Sequence, residues 1–389
     1  MMHFILTIAQ SIAVVGIVSS SLYYLLCLWS ASKFIGERKA GRSARSAHAF
    51  PPVSILKPLK GTDPEIYESF RSHCRQDYPE YEIIFGVSDP NDAAIESVKA
   101  LQRGFPDRRI RLVRTPTILG ANVKVSNLAQ MMTEARYDYI IVNDSDIRVE
   151  PDYLRRVIAP LSDSQTGMVT CLYRGVAAAT VGSRLEALGI ADFCAGVLVA
   201  RQLEGGIHFG LGSTLALRRA ELERIGGFAS IVNHLADDYE LGKRIADLGL
   251  AVKLSDVVVE TYLPAYDVLG FFAHQLRWAR GVRDVRAVSY FGLAFTFGIP
   301  WALLAVAASR GGLWSWGTLA STVFLRFAVA LAVGWKVLRD RQVLRYVWMI
   351  PLRDLVAVVI WIVSLGGHSV TWRGDQFKLR DGKLTRVDS

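Results

Sequence analysis

The sequence predicts an α/β domain with a mostly parallel sheet, set between membrane helices, one at the N-terminus and two to three at the C-terminus. Three observations predict it. Between residues 50 and 285, short β-branched and aromatic runs alternate with helix-period segments, as strands joined by crossover helices do. The chain is 51% hydrophobic with a mean hydropathy of +0.26 over 389 residues, too apolar for a purely soluble protein. Its longest nearly uncharged runs lie at the two ends. The implied division is a transmembrane anchor at 1–32, a cytoplasmic globular domain at 33–285, and a membrane region with a basic tail at 286–389.

The formal net charge is +9. Lys and Arg cluster beside hydrophobic runs rather than in aromatic-interleaved patches, so the expected partner is a lipid bilayer and no nucleic acid. Cys27, Cys74, Cys171 and Cys194 have neither paired nor metal-like spacing, which points to a reducing compartment and packing roles.

Residues 4–29 are almost uncharged, with Tyr23, Tyr24 and Trp29 near one end, long enough to cross a hydrocarbon core about 30 Å thick. A basic n-region and a suitably placed cleavage site are missing, which favours a retained anchor over a signal peptide. The basic flank Lys33, Arg38, Lys39, Arg42 and Arg45 places the globular domain in the cytoplasm by the positive-inside rule.

In the domain, 53–56, 81–87, 110–113 and 139–142 read as strands, with helical patterns at 64–74 and 91–102. Each strand ends in candidate ligands: Lys57 and Lys60, then Asp89 and Asp92, then Lys124 of Gly120-Ala-Asn-Val-Lys124, then Asp144 and Asp146. Singly, each is most simply a solvated loop charge. Four successive strand ends carrying them are better explained by one nucleotide pocket, because open α/β sheets place ligands beyond the carboxyl ends of their strands. Asp144 and Asp146, one residue apart after a buried run, suit a hard cation such as Mg²⁺ or Mn²⁺, although on its own so short a motif is better read as a polar turn capping the segment that starts at Pro151.

Farther on, Asp238 follows a glycine-rich loop (Gly205, Gly206, Gly210, Gly212) and opens a helical pattern. It is an N-cap or a general base, and one carboxylate is able to be both. Arg277 and Trp278, in His274-Gln-Leu-Arg-Trp-Ala-Arg280, are either an interfacial belt or a guanidinium for a leaving diphosphate with an indole against sugar or acceptor. Beyond them, 290–309 and 313–335 are spanning candidates, the second carrying Arg326. Segment 343–365 holds Pro351, Arg353 and Asp354, which predicts an interfacial helix and a re-entrant one. Re-entry would keep Arg373, Lys378, Arg380, Lys383 and Arg386 of the tail cytoplasmic.

With these residues assembled, the chain resembles the ceramide glucosyltransferase family of membrane-bound inverting glycosyltransferases, most of all its bacterial hopanoid-associated branch. The matches are Val53-Ser-Ile-Leu-Lys-Pro-Leu-Lys-Gly61, Asp77-Tyr-Pro-Glu-Tyr-Glu82, the cluster from Asp89 to Asp92, Asn143-Asp-Ser-Asp-Ile-Arg-Val149, Asp237-Asp-Tyr239, Arg277-Trp278 and Trp372-Arg-Gly374. The resemblance implies a glycosyltransferase fold of type A, a Rossmann-like sheet, in a bacterial inner membrane. It implies that Asp92 contacts uridine, Asp144 and Asp146 hold the metal on the diphosphate, Asp238 is the base, and Arg277 with Trp278 completes the site. Two departures stand out. His274 takes a position usually held by Gln or Arg, and Asp192-Phe-Cys-Ala-Gly196 lacks a histidine common to ceramide enzymes. The second favours a hopanoid acceptor over ceramide, as do Cys171-Leu-Tyr-Arg-Gly175 and His274-Gln-Leu-Arg-Trp278.

The reaction implied is transfer of glucose or N-acetylglucosamine from a UDP-sugar to a membrane lipid hydroxyl, with Lys57, Asp89, Asp92, Lys124 and Asp144 around the donor. Two other classes fit some of the residues: a metal-dependent lipid phospho- or nucleotidyltransferase, which has no need for Asp238 and Arg277-Trp278, and a membrane-tethered nucleotide-sugar sensor without catalysis. A processive polysaccharide synthase ranks below these, because too few membrane segments remain to line a pore.

Overall fold

The alternating pattern folds as expected around one sheet, in a computed structural model that describes residues 1–43, 50–372 and 375–387. Arg45 of the basic flank, and Arg373 and Gly374 of the tail motif, lie outside the described residues. The N-terminal apolar run forms α1 (Met2–Ser43), a single helix that continues past the basic flank's first residues. Then come β1 (Val53–Leu59), α2 (Ile66–Cys74), β2 (Tyr81–Val87), α3 (Ala94–Gly104), β3 (Arg109–Arg114), α4 (Val123–Met132) and β4 (Tyr139–Val142). β1 and β2 are buried along their whole length, the mark of strands covered on both faces.

β2 and β4 pair with β1 on either side and β3 pairs with β2, all in parallel. The chain therefore winds outward from β1 in one direction and returns to place β4 on its other side. That reversal opens a crevice beyond the carboxyl ends of β1 and β4.

Next come β5 (Ile147–Arg148), α5 (Tyr153–Ile158), β6 (Thr166–Val176), α6 (Val181–Leu203), β7 (Leu215–Arg218), α7 (Arg219–Arg224), α8 (Asp237–Asp247) and β8 (Ala251–Tyr262). They extend the sheet to the order β3-β2-β1-β4-β7-β6-β8-β5. β7 is antiparallel to both β4 and β6, β6 is parallel to β8, and β5 antiparallel to β8. Only the first four strands are placed by the sequence pattern. Long α6 is capped by the Thr180 hydroxyl, which accepts from the Ser183 N–H.

The C-terminal part comprises α9 (Val268–Val285), α10 (Ala287–Gly292), α11 (Gly298–Ala308), α12 (Leu313–Ala330), α13 (Gln342–Tyr346) and α14 (Ile350–Ser364). Among the described residues, three helical segments are long and apolar enough to cross a membrane: Met2–Ala40, Leu313–Val337 and Gln342–Ser364. A fourth would be a broken one, Ala287–Thr296 with Gly298–Ala308, bent by 50°. The expected straight span at 290–309 is thus a bent pair. Pro351 does not break the last segment but starts α14, where its missing N–H leaves nothing unsatisfied.

The tail is a small antiparallel sheet of β9 (Ser369–Trp372), β10 (Asp375–Arg380) and β11 (Lys383–Arg386). Asp381 and Gly382 turn β10 into β11 with φ of 53° and 75°, a two-residue turn that only such left-handed residues make easily. This sheet hydrogen-bonds to the domain: the Leu235 N–H donates to the Gly382 carbonyl at 3.0 Å and the Leu384 N–H to the Asn233 carbonyl at 2.7 Å. Tail and domain therefore share one side of the membrane, which requires an even number of crossings between α9 and β9. α11 packs on α1 and α12, and α14 packs on α9, α11 and α6.

Candidate active site

β4 ends at Val142 inside the sheet, and the next four residues, Asn143-Asp144-Ser145-Asp146, turn over its end. Asn143 fixes the turn from below. Its amide donates to the Tyr153 hydroxyl at 2.9 Å and to the Ser213 carbonyl at 2.7 Å, and its backbone N–H donates to the Leu56 carbonyl of β1. Lys57 completes the support: it is fully buried within β1 and its ammonium donates to the Asp144 carbonyl at 2.9 Å. Burial pulls that ammonium down to about 7, against the charges of Asp146, Asp144 and Asp63.

This corrects one expectation. β1 runs through Leu59, so Lys57 is a strut beneath the loop rather than a ligand beyond the strand end. Asp89 and Asp92 are also not brought to the cavity that holds the other acids. Asp92 accepts from the Gly61 N–H at 2.8 Å and from the Ala94 N–H at 2.9 Å, tying the end of β1 to the start of α3. Asp89, exposed, accepts from the Asn91 N–H in a local turn.

The remaining candidates converge. Lys124, in the first turn of α4, bridges Asp144 at 2.8 Å and Asp237 at 3.0 Å. Burial opposes its charge, but Asp144, Asp237 and Asp238 outweigh that and hold it above the usual lysine range. Asp238, in the first turn of α8, accepts from the Gly212 N–H at 2.7 Å and from its neighbour's N–H at Tyr239 at 2.8 Å. A Cβ on Gly212 would lie 3.0 Å from an Asp144 oxygen and 3.3 Å from an Asp238 oxygen, so the two carboxylates face one small space across this glycine. Burial, then the Asp237 charge, raise Asp238 to about 6.

Asp146 accepts a short hydrogen bond from the Thr261 hydroxyl of β8, and Ser145 donates one to Asp63. Burial, followed by the Asp144 charge, raises Asp146 to about 6 as well. Five carboxylates (Asp63, Asp144, Asp146, Asp237 and Asp238) thus meet two lysines. An excess of hard oxygen donors, with two of the acids pushed up by burial and by neighbouring charge, fits a divalent cation at Asp144 and Asp146. Among the described residues no three His, Cys, Asp or Glu side chains form a closed metal cage. Such an ion would complete its shell with water and phosphate oxygens, as Mg²⁺ and Mn²⁺ do.

Arg277 and Trp278 come to the same cavity from α9. Arg277 is half-buried and close enough to Tyr266 for its charge to oppose the burial that lifts that phenol to about 12. Trp278, 41% exposed, meets Phe193 edge-on at 6.2 Å between centroids and His274 at 6.0 Å. The structure adds residues that sequence reasoning does not single out, Thr261 beside the acids and Thr371 and Asp375 of the tail sheet on the wall, and it brings Asp237 and Gly212 to the acids as well. The signal for the tail is present as Asp381-Gly382 between alternating stretches.

The cavity they share has a volume of about 1210 Å³ and runs from Asp144 and Asp238 to Tyr24, Phe297 and Trp361 at the membrane helices. One end is acidic and solvated, the other apolar. The arrangement is able to hold a polar, phosphate-bearing molecule at the sheet end and an amphiphile at the membrane end.

Comparison with known proteins accords with this geometry. The model of glycosyl transferase family 21 matches residues 12–385. A ceramide glucosyltransferase of Caenorhabditis elegans, ceramide glucosyltransferase 1, is 22% identical over 365 residues, spanning 87% of this chain and 73% of that protein. The ceramide glucosyltransferase of Komagataella phaffii is 36% identical over 130 residues, which are 31% of this chain and 26% of its own. Among solved structures, the mannosyltransferase PcManGT of Pyrobaculum calidifontis, in complex with GDP-Man and Mn²⁺, superposes with a TM-score of 0.53 at 19% identity, covering 92% of this chain and all of that one.

Proposed function

The chain belongs to glycosyl transferase family 21, and from that premise we propose that this membrane glycosyltransferase moves a hexose from a UDP-sugar to the hydroxyl of a membrane lipid, with inversion at the anomeric carbon. The observation that carries the reading is that Asp144 and Asp238 face one space across Gly212, at the head of a cavity whose far end is made of membrane helices. Relatives named as ceramide glucosyltransferases support a lipid acceptor. Asp192 stands in the stretch where ceramide enzymes resemble one another in a histidine, which favours a hopanoid polyol such as a bacteriohopanetetrol over ceramide.

In this mechanism the donor diphosphate lies over the Asp144 turn, with Lys124 and Arg277 at its edge. Asp144 and Asp146 would hold a divalent cation, Mg²⁺ or Mn²⁺, which when bound supplies positive charge for the diphosphate oxygens. Asp238 takes the proton of the lipid hydroxyl as its oxygen bonds to the anomeric carbon. The bond from that carbon to the phosphate oxygen breaks, and its electron pair leaves with UDP. A base with a pKa of about 6 is ionised at neutral pH yet basic enough to accept the proton. The two backbone N–H groups on Asp238 fix where its oxygens point. Lys124 and Arg277 offset the charge that grows on the departing diphosphate, which is where preorganised cations lower a barrier most. The basic flank at the C-terminal end of α1 supports a cytoplasmic domain at a bacterial inner membrane.

The test is UDP release by purified protein in detergent, with UDP-glucose or UDP-N-acetylglucosamine, ceramide or a polyhydroxylated hopanoid, and Mg²⁺, Mn²⁺ or chelator. Lipid-dependent release that Asp238→Ala abolishes is expected. Binding of UDP-sugar without release in any pairing would point instead to a sensor or a phosphotransferase.

A further inference from the structure

The cavity wall between the acids and the membrane end is not uniformly apolar. α6 presents Glu186, Gly189, Asp192 and Gly196 along it, spaced to share one helix face. Opposite stand Arg326 of α12 and Arg353 and Asp354 of α14. Arg326 donates to both oxygens of Asp192 at 2.8 Å and to both of Asp354 at 2.8 and 2.9 Å. Arg353 donates to Gln275 at 2.9 Å, and Gln275 in turn to Glu186 at 2.7 Å. Gly189 lets Arg353 lie against α6, since a Cβ there would sit 2.4 Å from its guanidinium.

Charged groups at membrane depth are costly and persist where they are paired or used. Pairing accounts for Arg326 and Asp354, whose side chains are 6% and 9% exposed. Asp192 is paired too, through both oxygens to Arg326, yet its side chain keeps 35% of its exposure and opens on the cavity. The five groups, Glu186, Asp192, Asp354, Arg326 and Arg353, also sum to one net negative charge. A wall of that kind attracts hydrogen-bond donors and repels phosphate.

We propose that Asp192, held in place by Arg326 and Asp354, is a subsite for the headgroup of the lipid acceptor, accepting hydrogen bonds from hydroxyl or N–H groups of a headgroup that bears no phosphate. The inference rests on the reading of the chain as a lipid glycosyltransferase and adds which acceptors it selects. The headgroup's reacting hydroxyl goes to Asp238, while its other donors meet Asp192, and the apolar body remains among the membrane helices.

The test pairs acceptors with variants. One acceptor is a neutral polyhydroxylated lipid, a second keeps only the reacting hydroxyl, and a third carries a phosphate on the headgroup. Wild type is expected to prefer the first over the second by about 10- to 100-fold in kcat/KM, the size of discrimination that a buried hydrogen-bonding site gives, and to reject the third. In Asp192→Ala that preference collapses toward unity through the acceptor KM, with the Kd for UDP unchanged. An unaltered preference in Asp192→Ala overturns the proposal, as does an equal loss of UDP affinity, which would mean a general structural role. If Asp192→Ala does not fold, Asp192→Asn carries the same measurement, and failure of both to fold also overturns it in favour of a structural tie. Wild type that glycosylates no lipid at all refutes the parent reading, an outcome distinct from any of these.

Discussion

Asp146→Asn should stabilise the metal-free protein while removing its activity. Asp146 is raised to about 6 by burial and the charge of Asp144, against about 3.9 for an unfolded chain. A folded pKa above the unfolded one means that the carboxyl favours folding below about pH 4 and that this advantage is lost as pH rises through about 6. At pH 7.5 the two-unit gap corresponds to about 3 kcal/mol of strain unscreened, and water at this partly exposed group reduces it to about 1–2 kcal/mol. Asparagine relieves that strain and keeps the Thr261 contact, because a hydroxyl is able to donate to the amide oxygen. The variant should therefore melt on the order of 2–5 °C higher in chelator at pH 7.5, with about half the advantage at pH 5. Differential scanning fluorimetry in detergent at a fixed scan rate measures both. Mn²⁺ should raise the melting temperature of wild type and not of the variant, and transfer should fall about 100-fold or more. A variant that melts lower than wild type at pH 7.5 in chelator, with no narrowing of the difference at pH 5, would refute the electrostatic account of this turn.

Other perturbations read other parts of the site. Asp238→Ala should lower kcat about 10²- to 10⁴-fold with UDP-sugar affinity retained by calorimetry. Wild-type kcat should fall about tenfold per unit below about pH 6, since only the ionised Asp238 accepts the proton. Gly242→Ala places a Cβ 2.2 Å from the Gly210 nitrogen and 2.3 Å from the Phe209 carbonyl carbon. It should cost about 1–3 kcal/mol by denaturation and disturb the Gly212 N–H on Asp238. Truncation after residue 367 removes the strands bonded to Asn233 and Leu235. It should leave a monodisperse membrane protein on size exclusion whose transfer rate is down on the order of 100-fold through lost positioning of the Asp237-Asp238 turn.

What was legible in the sequence and what was not divides along the reach of each interaction. β1, β2 and β4 could be read because they are buried strands whose runs are mostly β-branched and apolar, interrupted only by Ser54, Lys57 and Glu82. Asp144, Asp146 and Asp238 could be read because an acid at an abrupt strand end or helix start is a local pattern. Lys57 misled for a local reason too: Pro58 reads as the end of a strand, yet β1 continues to Leu59 and buries the lysine. β6 and β8 went unread because their pairing partners lie far along the chain, and the tail because its basic residues suggested a membrane side rather than the hairpin that Asp381-Gly382 makes. Arg326 and Asp354 looked like defects in membrane segments until the fold paired Arg326 with both Asp354 and Asp192, the latter more than a hundred residues earlier. The groups that tune the acids come from outside the local stretch as well: Thr261 to Asp146 across 115 residues, Gly212 to Asp238 across 26, and Gly382 to the turn before Asp237. A sequence lays out the reactive side chains in order. Their ionisation, and hence which of them is able to act as a base at neutral pH, is decided by neighbours that only the folded sheet brings within 3 Å.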